Sequence, residues 1–187
     1  MKLRYNAPVS LTFTIIGAIV LLLNQFLLKS LIPTLFTAPG RGGFSLINPV
    51  DYLRLITHVI GHANWTHFMS NFSFILLLGP SLEEKYGSAS ILFMMFVTAV
   101  VTGILNTLLI PAGLLGASGI VFMMILLMSF TNIKSGEIPI TFILVVLLFL
   151  VKEVVNAFQQ NNVSEFAHIA GGILGSLFGF LRPEKKK

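Results

Sequence analysis

Apolar residues occur in long runs along this chain, and polar residues collect between the runs. Six runs are each long enough, or nearly so, for a spanning helix of about 20 residues: 7–28, 65–82, 88–109, 116–130, 138–158 and 163–181. The first carries no charge between Tyr5 and Leu28. The polar-spotted stretch after it holds Pro33, Pro39, "GRGG" and "NPVDYLRL". It is too interrupted to span, and its amphipathic pieces are expected at the membrane interface. "EEKYGS" closes the second run, "IPAGLLG" breaks the third from the fourth, and "NIKSGE" precedes the fifth. "NVSE" at 162–165 has the form of a capping box and would start the sixth near Val163. The pattern predicts one all-α membrane domain over residues 1–187, a bundle of six transmembrane helices.

Composition strengthens that picture. The 187 residues are 55% hydrophobic and 10% charged, against about 25% charged in soluble domains. The mean hydropathy is +0.90, so the solvent is a bilayer. Lys2 and Arg4 ahead of an apolar run resemble a signal peptide, but no clear A-x-A site follows. The run is read as a retained first helix. Cysteine is absent, which excludes disulfides, thiolate catalysis and Cys-ligated metal sites.

The net charge of +5 sits mostly in short flanks of the apolar runs. It therefore reports orientation, and no nucleic-acid partner is expected. With the N-terminus in the cytoplasm, Lys2, Arg4, Lys85, Lys134, Arg182, Lys185, Lys186 and Lys187 fall inside. Lys29, Arg41, Arg54 and Lys152 fall outside. Eight against four places both termini in the cytoplasm by the positive-inside rule.

Parity then gathers the interior polar residues. The second, fourth and sixth helices all run inward from the outer face. His67 and Asn71 open the second, Ser118 opens the fourth, and His168 lies about 8 Å down the sixth at about 1.5 Å per residue. Ionisable groups inside membrane segments are expensive and point to function. Ser118 in "GASG" is either a packing residue or a nucleophile needing an imidazole base. His168 borders a small-residue stripe, Ala167, Gly171, Gly175 and Gly179, which permits close approach of a partner helix. If the partner is the fourth helix, the ring meets Ser118. His67 and Asn71 share one helix face and can act as oxyanion donors or as an interhelical hydrogen-bond pair. His58, His62 and His67 also raise a zinc site, but no third-ligand partner such as a nearby carboxylate is evident; no metal and no cofactor are expected.

These residues make the chain resemble the rhomboid intramembrane serine proteases. The resemblance runs from Arg54 onward through "HVIGHANWTHFMSNF", "GPSLEEKYGS", "GASG" and "AHIAGGILG". It implies a Ser–His dyad of Ser118 and His168, without a third acid, cleaving a substrate within or beside its transmembrane segment. It implies oxyanion support from His67 and Asn71 with backbone N–H help at the serine, a supporting His62, and Gly116 opening the nucleophile motif. Transmembrane protein substrates and the lipid bilayer are the implied partners, in the plasma or inner membrane with the site toward the outer face. The family's Trp-Arg pair is Leu53-Arg54 here, and its tyrosine four residues after the serine is Phe122. The weighed alternatives are a non-catalytic relative that binds transmembrane segments, and a channel or transporter with a histidine relay. The relay would want intramembrane carboxylates, and none is expected in the second, third, fourth or sixth helix.

Overall fold

The computed structural model describes residues 5–130 and 165–181, with six helical positions between 140 and 151. The expected fifth helix, the capping box at 162–165 and the charged ends at 1–4 and 182–187 lie largely outside the described residues. Helices account for all the regular structure described: α1 (Pro8–Phe26), α2 (Leu31–Leu35), α3 (Pro49–Thr57), α4 (Trp65–Tyr86), α5 (Ser88–Leu109), α6 (Ser118–Phe130) and α7 (Glu165–Leu181).

α1 begins with Pro8 at its first turn and has no capping side chain of its own. Its cap comes from α4. Val9 N–H and Ser10 N–H donate to the Glu83 carboxylate at 3.2 and 2.8 Å, and Ser10 Oγ donates at 2.8 Å. Ser88 Oγ, from the start of α5, donates at 2.7 Å to Oε2, the oxygen that Val9 N–H also reaches, while both Ser10 donors meet Oε1. A carboxylate at a helix N-terminus satisfies orphan amides and meets the positive end of the dipole. The second helix therefore runs one turn beyond the expected residue 82 and carries a buried carboxylate, correcting the expectation of none there. Gly87, at φ +82°, ends α4 and starts α5 in a single residue.

The interrupted stretch after α1 is ordered by polar contacts. Asn48 caps α3 by accepting from Val50 N–H at 3.1 Å. Arg54 bridges to buried Asp51 at 2.8 Å and donates from Nε to the Thr34 carbonyl at 2.6 Å. Arg54 thus ties α3 to α2, while Leu53 stays exposed and adds no comparable tie.

A second long-range tie joins residues 37–43 to 110–116. Ala38 and Leu114 exchange backbone hydrogen bonds at 2.8 and 3.0 Å, and Arg41 N–H donates to Ile110 O at 2.7 Å. From the end of α5, Asn106 donates to Ala112 O at 3.0 Å and Thr107 to Pro39 O at 3.0 Å. This arch delivers the chain to the first residue of α6.

α6 is the central helix. Ile120, Met123, Met124 and Leu127 are fully buried, together with Ile91 and Met94 of α5 and Phe72 and Ile75 of α4. Outward faces are apolar: Ile15 and Ile19 on α1, Phe93 and Phe96 on α5, Ile173 and Phe180 on α7 are exposed. Apolar residues outside and polar residues such as Thr98, Thr102 and Asn106 inside is the arrangement a lipid solvent selects. Among the described residues, α1 and α5 are long and apolar enough to cross a bilayer, and α6 and α7 are shorter apolar helices.

Candidate active site

The arch ends at Gly116, whose φ of +114° disfavours any side chain. A methyl group there would sit 2.7 Å from Cε1 and Nε2 of His67 and 3.8 Å from the Asn71 amide nitrogen. The missing side chain is the space that the His67 ring occupies. Gly116 N–H donates to the His58 carbonyl at 2.9 Å, which fixes the arch against the end of α3.

His58 and His62 lie between α3 and α4, and both are fully buried. Burial lowers each pKa from 6.5 to about 4, so both rings are neutral near pH 7. His58 donates from Nε2 to the Ala99 carbonyl at 3.0 Å. His62 Nδ1 faces the Ile60 carbonyl at 3.1 Å, so its proton lies on Nδ1 and its Nε2 is an acceptor. Two donors reach that nitrogen, Asn71 Nδ2 at 3.2 Å and Ala117 N–H at 3.4 Å. Asn71 Nδ2 also donates to the His67 carbonyl at 3.1 Å. The His62 and His67 rings lie edge to face with centroids 4.9 Å apart. His62, His67, Asn71 and Gly116 are therefore brought together on the α4 side of the arch.

Ser118 is partly buried and is the first residue of α6. Ala117 precedes it, and its carbonyl accepts from Val121 N–H at 3.0 Å. Amides in the first turn have no earlier turn to accept them, so they and the helix dipole favour negative charge beside Ser118.

The stripe on α7 faces α6. A methyl group at Gly171 would collide with the Gly119 carbonyl, and one at Gly175 with the Met123 carbonyl. One at Gly119 would stand 3.2 Å from the Ala167 carbonyl and 3.3 Å from Thr102 Cγ2. Backbone thus lies on backbone one residue from Ser118 and one from His168. Buried His168 stacks on Phe122 with ring centroids 4.6 Å apart and planes at 39°. Phe122 is one turn below Ser118 on the same face of α6. The phenyl ring keeps the stacking, and the hydroxyl expected from the family pattern is not needed for it.

The ring nitrogens of His58 and His62 are turned to different partners, Ala99 and Ile60. Among the described residues, no three His, Cys, Asp or Glu side chains are grouped to hold a metal. Sequence reasoning missed three contributors: Glu83 as the cap of α1, Asn106 as a tether of the arch, and Ala117 as a partner of His62. Glu83 was legible as the acidic position of "GPSLEEKYGS" in the family resemblance but not as a cap, and Asn106 had a signal of its own, since Thr98, Thr102 and Asn106 recur every four residues in an otherwise apolar helix.

Apolar outer faces around a polar interior define a membrane-embedded, multi-pass helical protein. The Rhomboid domain profile matches residues 49–185, and the chain belongs to the rhomboid family. It is 23% identical over 137 residues to Rhomboid protease GlpG of Haemophilus influenzae, covering 72% of this chain and 71% of that one. The rhomboid chain YdcA of Bacillus subtilis is 29% identical over 143 residues, covering 73% and 70%. Rhomboid-like protein 11, chloroplastic, of Arabidopsis thaliana is 25% identical over 146 residues, covering 70% and 52%.

Proposed function

We propose that the chain is an intramembrane serine endopeptidase that cleaves transmembrane proteins within or near their spanning segment. The observation that carries the reading is the backbone contact of α6 and α7 at Gly119 and Gly171, with His168 stacked on Phe122. That close packing supports a hydroxyl and an imidazole acting together across one interface.

In this reading His168 takes the proton of Ser118 Oγ as Oγ attacks the scissile carbonyl carbon. The carbonyl π electrons move to oxygen, and the oxyanion forms at the head of α6. The first-turn amides, His67 and the Asn71 amide are its donors. Collapse expels the amine, which takes the proton from His168, and leaves an acyl-enzyme. Water, deprotonated by His168, then releases the acid and restores Ser118. Sites near helix starts give water an approach that the bilayer centre lacks. With both termini cytoplasmic, those starts face the outer side of the plasma membrane.

The test is cleavage of a transmembrane substrate by the purified chain in detergent, beside the Ser118→Ala variant. Cleavage by the first alone supports the reading, and equal cleavage by both overturns the nucleophile. A non-catalytic binder of transmembrane segments is the second reading, favoured by a relative named only as rhomboid-like. A fluorophosphonate that labels Ser118 excludes it.

A further inference from the structure

The acceptor at His62 Nε2 has a single lone pair and two donors, Asn71 Nδ2 at 3.2 Å and Ala117 N–H at 3.4 Å. The first lies at the long end of the ordinary range and the second beyond it, as a shared lone pair requires. The assignment is over-determined. Ile60 O and His67 O are carbonyls that only accept, so Nδ1 of His62 must carry its proton and the Asn71 atom must be the amide nitrogen. Both hydrogens of that amide are then committed, one to His67 O and one to His62. In this state Asn71 has no hydrogen left over for a substrate oxyanion.

We propose that His62 is a positioning residue that holds the Asn71 amide in reserve and exchanges it for Ala117 N–H when an oxyanion forms. The oxyanion draws one Asn71 hydrogen away from Nε2, and the Ala117 amide then takes the whole lone pair. One donor leaves as the other tightens, so no buried group is stranded in either state. A buried unpaired donor would otherwise destabilise whichever state held it. Because Ala117 adjoins Ser118, the exchange couples the oxyanion donor to the backbone that carries the nucleophile. Phe68 and Phe72 pack on the His62 ring with centroids at 5.6 and 5.2 Å, which opposes rotation of the ring away from Asn71. The functional half of the inference rests on the protease reading; the exchange itself rests on the hydrogen-bond pattern.

Nitrogen-resolved NMR of the full chain in detergent tests the exchange without relying on a His62 variant that could misfold. His62 should show a protonated Nδ1 and an accepting Nε2; a protonated Nε2 overturns the proposal. Asn71→Ala should move the Ala117 amide proton downfield, because Ala117 becomes the one donor to Nε2, and a fluorophosphonate adduct at Ser118 should do the same. An Ala117 signal that stays put in both overturns it. If Ser118 takes no label, the protease reading fails separately, and the tautomer and the Asn71→Ala shift still decide the exchange. In kinetics, His62→Leu should lower kcat by about 10- to 100-fold with KM nearly unchanged, within the range for losing an oxyanion donor. On an Asn71→Ala background the same change should lower kcat by less than about threefold. Equal losses on both backgrounds would show that His62 does not act through Asn71.

Discussion

The two flanks of the arch at Gly116 are built on opposite principles. On the α4 flank, His62, His67 and Asn71 are held by directional hydrogen bonds between buried polar groups. On the α7 flank, α6 and α7 are brought into backbone contact beside Ser118 and His168 by side chains that are missing, at Gly119, Gly171 and Gly175. Polar networks tolerate small backbone movements but fail when a partner is left unsatisfied. Backbone contacts are indifferent to the loss of a side-chain hydrogen bond because they depend on none, but they fail when volume is added. The first flank should therefore be sensitive to chemistry and the second to size.

The sharpest break falls at the proposed dyad of Ser118 and His168. Ser118→Ala should abolish cleavage with little change in thermal stability, since a hydroxyl between Ala117 and Gly119 contributes little packing. His168→Ala should match it, and the double variant should be no slower than either, because members of one catalytic unit are non-additive. A double variant far slower than both would separate the two residues.

Added volume comes next. Gly171→Leu should reduce turnover by about 10²-fold or more, because displacements near 1 Å can cost that much. Leucine is welcome in lipid, so membrane insertion should persist. Ile173→Phe, on the exposed face of α7, is the size control and should leave turnover nearly intact. Similar losses in the two would remove the special status of the stripe.

Deleting a donor on the polar flank should cost less. Asn71→Ala should lower kcat by up to about 10²-fold, with His67 and backbone amides cushioning the loss. Steady-state kinetics decide the matter: a rise confined to KM would make Asn71 a structural residue.

Acid should affect the polar flank before the packed one. His58 and His62 are neutral when folded because burial lowers their pKa to about 4. Between pH 6.5 and 4 the unfolded chain takes up protons that the folded chain does not. Stability is therefore full above pH 6.5 and lost as pH falls toward 4. Melting temperatures across that window should fall progressively; a flat profile would mean that these rings are not buried and neutral.

The smallest effect belongs to the far side of the bundle. Glu83→Ala removes the cap of α1 and should destabilise the chain by about 2 kcal/mol, lowering Tm while folded molecules keep their turnover. Loss of turnover at full occupancy of the fold would tie Glu83 to the site.

Much of this was legible in the chain. Hydropathy sums over a span, so the membrane class and the bounds of α1, α5 and α6 follow from local composition within a few residues. Helical periodicity is also local, and it exposed the stripe on α7 and the shared face of His67 and Asn71. Which helix the stripe would meet was open. Any helix could accept a smooth face, and only the packed bundle decided on Gly119 and Met123. Glu83 caps amides 73 and 74 residues away, a pairing that no local signal announces because a carboxylate beside Lys85 reads as a helix end. The tie between residues 37–43 and 110–116 joins two irregular stretches without period or motif. The state of His62 was likewise undetermined, since an imidazole takes either tautomer until a neighbour chooses. Ile60 and Asn71 make that choice through distance and direction, and those quantities exist only once the chain has folded.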